Sequence, residues 1–368
     1  MLEKDRQQLR RLWFKVHKWL GLSLAAPVLL IFLSGAVLVW KSSVDDLLHP
    51  QRHVSAAASQ APSFYVAAAE RIAGPEEHVA SLTYPPGNGA VVISTVAGAS
   101  SSMQGRFRYF LHPVTGVVLD RASIDAGPLR VVHLLHGSLL LGRFGARLVG
   151  AVAFVLLLSA FSGLWLWWPR KGALVRGFRW GRTNSINANL HHQAGYWIAL
   201  PLVILCLTGA TISFPGLFAA LSGDAAAAEA EFARNSAPPL SHTHLDLSHV
   251  LAAVGSPRPS AIAAISWPTT ADPRWHVTYD QAGAMRTIDI DDVTARALPP
   301  ESPPRQSASR LMRRIHDGTD MPFAWRLVIF FSGLGGFLLV TTGVIMWLRA
   351  QVRDKRMRRR RKESALRV

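Results

Sequence analysis

Cysteine and acidic residues are what this chain has least of. Its 368 residues include one cysteine, Cys206, and 23 Asp/Glu against 40 Lys/Arg, a formal net charge of +17. One cysteine excludes a disulfide framework, a CxxC pair and a c-type haem attachment motif. Within an apolar run, Cys206 reads as a small buried side chain. GxGxxG is absent, which removes a flavin or nicotinamide domain, and so are HExxH and any Ser/His/Asp arrangement.

Long apolar runs are what the chain has in quantity. Four segments have the length of a bilayer-crossing helix: Trp19–Trp40, Leu148–Trp168, Tyr196–Phe214 and Ala324–Leu348. None carries a charge in its central part except Arg326, near the start of the last. Backbone groups in hydrocarbon must be satisfied within the segment, so each run is predicted as a helix. The sequence SAAASQA at 55–61 resembles a cleavage site, but it lies far beyond the first apolar run, which is itself long for a signal peptide. The expectation is an uncleaved first span.

The positive charge is not spread evenly. Residues 1–18 hold six Lys/Arg, residues 169–182 hold five and residues 349–368 hold ten. With four spans, all three segments fall on one side of the membrane, the positive-inside pattern with both termini cytoplasmic. The tail RDKRMRRRRK reads as a surface anchor facing anionic membrane lipid. No folded or aromatic-interleaved reader accompanies it, so nucleic acid is not expected as a partner.

The chain also writes one stretch twice. HKWLGLSLAAPVLLIFLSGAV begins at His17 and HHQAGYWIALPLVILCLTGAT begins at His191. His17, Gly21, Pro27, Ser34 and Gly35 align with His191, Gly195, Pro201, Thr208 and Gly209 without a gap. Later landmarks keep nearly the same offset, with Thr115 matching Thr294 and His136 matching His316. His136 and His316 each stand 27 residues before a glycine, Gly163 and Gly343.

Each half therefore reads as helix, small extramembrane module, helix. In the first module a helix is expected at Ser63–Ile72 and strands at 91–96, 106–111 and 116–121. In the second, AIAAISW, RWHVTYD and AMRTIDID are strand-like. The resulting plan has a lead-in (1–18), helix 1 (19–40), module 1 (41–130) and an interfacial helix plus helix 2 (131–168). A basic loop (169–188), helix 3 (189–214), module 2 (215–308), an interfacial helix plus helix 4 (309–348) and a basic tail (349–368) follow.

Two histidine positions are preserved per half. If the halves pack about a pseudo-two-fold axis, His17 faces His191 and His136 faces His316. Two facing neutral imidazoles can serve as axial ligands of a haem, and two such haems form a transmembrane electron path. Taken singly, a membrane-edge histidine is better explained by interfacial polarity than by ligation. Zinc is disfavoured, because no carboxylate or thiolate completes either pair. His133 and His192 lack symmetric partners, and each remains an alternative to its neighbour as ligand. His242, His244, His249 and His276 read as solvated, with contact to substrate or metal as the lesser alternative.

Distance is the difficulty. A straight helix from His136 to Trp168 separates the two histidine levels by about 45 Å, beyond direct transfer. Breaks at Gly142–Gly145 and Gly318–Pro322 are expected to fold the outer histidines back toward the membrane.

HKWLGL, LLHGSLLLG, LHHQAGYW and SGLWLWWPR resemble the PepSY-associated transmembrane helix family, and the turns PVTG and DDVTA resemble its PepSY-like modules. The resemblance implies a membrane protein with four transmembrane α-helices from an internal duplication and two small α+β periplasmic modules. Length and layout further resemble the family's inner-membrane ferric-siderophore reductases. That likeness implies a bacterial inner-membrane protein with two bis-His haem b groups. It also implies reduction of siderophore-bound Fe(III) at the periplasmic face by electrons from an unidentified donor. By motif His17, His136, His191 and His316 inherit the ligand role, with the choice between His191 and His192 open. A transporter of siderophore, haem or metal, and a regulatory membrane protein, are the other classes consistent with the repeat.

Overall fold

A computed structural model gives the arrangement of residues 2–98, 105–169, 177–181, 183–223, 229, 233, 236–255, 261–281, 283–298 and 308–366. Parts of the basic loop 169–188 and of the Ala-rich tract 219–230 lie outside these residues. In chain order the elements begin with α1 (Leu2–Ser23), α2 (Ala25–Val39), α3 (Lys41–Leu48), α4 (Pro62–Glu70), β1 (Glu77–Thr83), β2 (Val91–Ala97), β3 (Arg106–Leu111) and β4 (Val118–Ser123). Then come α5 (Pro128–Ser138), α6 (Gly142–Trp167), α7 (Ile186–Ser213), α8 (Pro215–Ser222), α9 (Leu247–Ala253), β5 (Ile262–Ser266), β6 (Arg274–Gln281), β7 (Ala284–Asp291), α10 (Ala308–Asp317) and α11 (Phe323–Ala365). They form a helical unit, Met1–Trp40, Val131–Leu221 and Ala308–Val368, and a sheet unit, Lys41–Arg130 and Ser222–Ser307.

In the helical unit α6, α7 and α11 are long and apolar enough to cross a bilayer, and α1–α2 makes a fourth crossing if the bent pair counts as one. The chain is a multi-pass membrane protein. Its first apolar run differs from the straight helix expected over 19–40: it bends by 68° between Ser23 and Ala25. Pro27 has no N–H to give the Ser23 carbonyl and its ring crowds that oxygen, so the helix restarts with Pro27 in the first turn of α2. The aligned Pro201 sits inside α7, which runs on unbroken. The basic tail also differs from expectation, because α11 continues through it to Ala365 as one 43-residue helix.

Glycines on α11 set the packing. A Cβ on Gly333 would meet the Phe32 carbonyl and Ala36 at 3.0 Å, and one on Gly336 would meet the Phe32 ring at 2.6 Å. Gly335 accommodates Ile198 of α7. These small residues let α2 and α7 approach α11 closely.

Both expected breaks are present. α5 ends with Leu139 and Leu140 at φ of 50° and 62°, before Gly142 at 57°. The Leu139 N–H closes the end by donating to Leu135 O at 3.1 Å, the five-to-one bond of a left-handed helix cap. α10 ends in the same way, with Gly318 at 74° and Asp320 at 55°.

In the sheet unit the strands of both expected modules join one seven-stranded sheet, in the order β4-β3-β2-β1-β5-β6-β7. The seam is the antiparallel β1·β5 pair, Ser81 to Thr83 against Ala264 to Ser266. On one face α4 and α9 cover a core built on Tyr65, Leu82, Ile93, Tyr109, Leu111, Val250, Ile265, Trp275 and Ile290. Asp292, 1% exposed, accepts from the Trp275 indole at 2.8 Å and from the N–H groups of His244 and Leu245. It thereby pins the loop leading to α9.

Glu77 anchors the first half of the sheet. Its side chain is 4% exposed and accepts from Thr95 Oγ1 at 2.6 Å, Tyr109 Oη at 2.8 Å, Arg121 at 2.6 Å and the Gly74 N–H at 3.2 Å. Burial pushes its carboxyl upward, but these hydrogen bonds together outweigh burial and hold it below the usual range. A depressed carboxyl contributes stability above the unfolded pKa of about 4.3 and loses it as pH falls through the folded value. Glu77→Gln should therefore lower the unfolding free energy of the sheet unit at pH 7, from denaturant melts followed by near-UV circular dichroism, by about 1–3 kcal/mol. The gap should close below the folded pKa. A gap that stays constant down to acid pH would disprove this account.

Candidate functional site

The structure brings the four repeat histidines together two by two. The His17 ring on α1 and the His191 ring on α7 have centres 6.2 Å apart. The His136 ring on α5 and the His316 ring on α10 have centres 6.1 Å apart. His192 is the next residue on α7 and half-buried; His133 lies one turn before His136 and is exposed. The ring partner of His17 is thus His191, and that of His316 is His136.

All four rings are held alike, by a neighbouring helix carrying Ser-Gly or Thr-Gly. His17 Nδ1 lies 3.1 Å from Ser159 O and 3.0 Å from Ser162 Oγ, against Gly163. His191 Nδ1 lies 3.0 Å from Leu339 O and 3.1 Å from Thr342 Oγ1, against Gly343. His136 Nδ1 lies 2.9 Å from Ile31 O and 3.4 Å from Ser34 Oγ, against Gly35. His316 Nδ1 lies 3.1 Å from Leu205 O and 3.0 Å from Thr208 Oγ1, against Gly209.

The local chemistry explains the pattern. A carbonyl only accepts, so each Nδ1 carries the proton and donates it. The Ser or Thr hydroxyl sends its own proton to carbonyls of its helix, as Ser162 does to Ser159 O at 3.0 Å and Thr342 to Leu338 O at 2.7 Å. Its oxygen is then free to accept from the imidazole. The glycine supplies room: a Cβ would sit 2.8 Å from His136 Cε1 at Gly35, 3.0 Å from His316 Cε1 at Gly209 and 3.1 Å from His17 Cε1 at Gly163. Among the described residues each Nε2 makes no hydrogen bond, so its lone pair stays uncommitted, the state a metal-binding imidazole needs.

The separations fit a shared metal. Two nitrogens each about 2 Å from one metal, with ring centres about 1.1 Å behind them, place those centres roughly 6.2 Å apart. Among the described residues no group of three or more His, Cys, Asp and Glu is arranged to hold a metal ion. The donor set of each site is two imidazoles, which leaves an equatorial plane for a macrocycle to fill.

The helix breaks bring the two histidine levels closer than a straight helix would. On uninterrupted α7 the acceptor Leu205 and the seat Gly209 lie 14 and 18 residues beyond His191, about 21–27 Å of helix rise. That is about half the 45 Å of a straight helix from His136 to Trp168.

Ser34 and Thr208 stand out as aligned repeat positions in the sequence, and Ser162 and Thr342 as residues before the glycines that follow His136 and His316. What the sequence does not give is that these hydroxyls belong to the histidines. No curated protein matches the chain. A family model does, that of the PepSY-associated TM region, over residues 14–350. The chain belongs to that PepSY-associated transmembrane family.

Proposed function

We propose that the protein is a dihaem reductase of the bacterial inner membrane, built by tandem duplication, with both termini cytoplasmic and the sheet unit periplasmic. It delivers single electrons to Fe(III) held by a siderophore and releases Fe(II). The observation that carries this reading is the four seated histidines, meeting in two pairs at metal-sharing separation within an apolar helical unit.

His17 and His191 would hold one haem b near the cytoplasmic side, and His136 and His316 the other. When bound there, haem would supply one-electron chemistry. The Ser/Thr-Gly seats fix ring orientation and tautomer, and the apolar helices exclude water. Hydroxamate and catecholate oxygens are hard donors suited to Fe(III), so adding one electron weakens the chelate. No acid–base or nucleophilic group is required of the chain.

The purified protein should show a Soret band that sharpens with dithionite, and Fe(III)-siderophore should return it to the oxidised spectrum. A colourless protein after expression with ample haem would overturn the reading. Failure of several ferric siderophores to reoxidise it would favour a transporter or regulatory protein.

The seats give a second prediction. Ser162→Ala and Thr208→Ala each remove one of the two acceptors on an imidazole N–H. Each should weaken haem retention about 10-fold or more in transfer assays to an apo-haemoprotein acceptor. Retention at the wild-type level in both would show that the carbonyls alone fix the rings.

A further inference from the structure

We propose that the sheet face opposite α4 and α9 is a binding trough for an anionic, oxygen-rich metal chelate. The identity of the ligand as a ferric chelate rests on the reductase reading; the trough itself rests on the strand register.

Directly opposed residues of antiparallel strands point to the same face. The recorded pairs Arg108↔Ser94, Ser94↔Ser81, Ser81↔Ser266, Ser266↔His276 and His276↔Asp289 therefore form one row across six strands. The adjacent row runs Phe110, Val92, Thr83, Ala264, Thr278 and Thr287. Tyr109, Ile93, Leu82, Ile265 and Val277 fill the opposite face as core.

The side chains in the middle are small. Three serines stand side by side on β2, β1 and β5, with Thr83 and Ala264 beside them. A face made to pack on another protein layer carries large apolar residues, and a solvent face is dominated by long charged ones. This centre has neither. At about 4.8 Å per strand its floor is roughly 10 Å wide, and the long flanking residues Arg108 and His276 stand roughly 19 Å apart. The three serine hydroxyls make no hydrogen bond among the described residues, and the serines are half-buried. They are available to donate to or accept from ligand oxygens.

Charge selects the ligand. On the β6–β7 flank the cations are already answered: Arg274 pairs with Asp272 at 2.6 Å, and His276 with Asp289 at 2.7 Å. On the β3 flank Arg108 is exposed and makes no ion pair among the described residues. Arg106, two residues earlier on the same face, has its Nε out of solvent with no acceptor. An arginine fork without a partner beside a floor of hydroxyls suits carboxylate or catecholate oxygens.

Gallium(III) citrate tests this in the full-length protein in detergent, because gallium matches iron(III) in charge and size but takes no electron. A gallium complex of a cationic linear trihydroxamate is the comparison. The wild type should bind gallium citrate more tightly than the cationic complex. Arg108→Glu should weaken citrate binding about 10-fold or more, and Ser81→Phe, which fills the floor, should abolish it. Near-UV dichroism and haem content should match wild type in both variants; Ser81→Ala keeps the space if Ser81→Phe misfolds. Citrate binding unchanged in Arg108→Glu, or tighter binding of the cationic complex, would overturn the proposal. So would variants whose reduced form is reoxidised by ferric citrate as well as wild type, while leaving the reductase standing. Variant-sensitive gallium binding without reoxidation by any ferric chelate would keep the trough and remove the reductase.

Discussion

His191→Ala should leave the protein with about half its haem, while His192→Ala keeps the full complement. The two residues are neighbours on α7, so the contrast isolates which ring faces His17. His191 Nδ1 is fixed by Leu339 O and Thr342 and its ring stands 6.2 Å from that of His17. On the dihaem reading, removing it leaves a single imidazole for the haem shared with His17, too little to hold a group in a site built for two. His136→Ala should empty the outer site by the same reasoning, and the double variant should be colourless. Pyridine haemochrome per mole of protein is the readout. Loss on His192→Ala with retention on His191→Ala would reverse the assignment and the pairing behind it.

Gly35→Val should empty the outer site without touching either ligand. Its Cβ would stand 2.8 Å from His136 Cε1 and 3.1 Å from Nδ1. The ring cannot move aside and keep its bond to Ile31 O, which comes from the same turn of α2 as the glycine. Overpacking of this kind costs about 1–3 kcal/mol, and the strain falls on the imidazole's orientation. Gly343→Ala is the matched control, because its Cβ would lie 3.6 Å from His191 Cε1, an ordinary contact. Haem content and reduction potential should change sharply in the first variant and little in the second. Equal effects in both would mean that the glycines serve helix packing and not the rings.

The histidine pairs were legible in the sequence because the repeat, gapless around His17 and His191 and close to the same offset at His136 and His316, gives each histidine an equivalent place in its half. His17 and His191 share a register with Gly21 and Gly195, so equivalent surroundings could be expected of both. The His191–His192 choice was not legible, since one residue turns the side chain by about 100° and only the fold says which direction is inward. The bend between α1 and α2 was missed because Pro27 and Pro201 are identical in the repeat and end differently. β1 was missed because a bulge between Val79 and Ser81 breaks its alternation, leaving two buried residues three apart. α9 is seven residues long, too short for a helical period to show, although Asp246 caps it. The joining of the modules into one sheet was beyond reach for a different reason. Pairing of Ser81 with Ser266 is written nowhere in the local pattern of either strand.

That seam has a consequence for a polypeptide of half this length. A chain ending before α7 would leave β1 with a bare row of unpaired amides, an invitation to aggregate. A second copy of the same chain would cover it, since an antiparallel match of a strand with itself is what a two-fold axis generates. The first half alone is therefore expected to be found as a homodimer joined through β1.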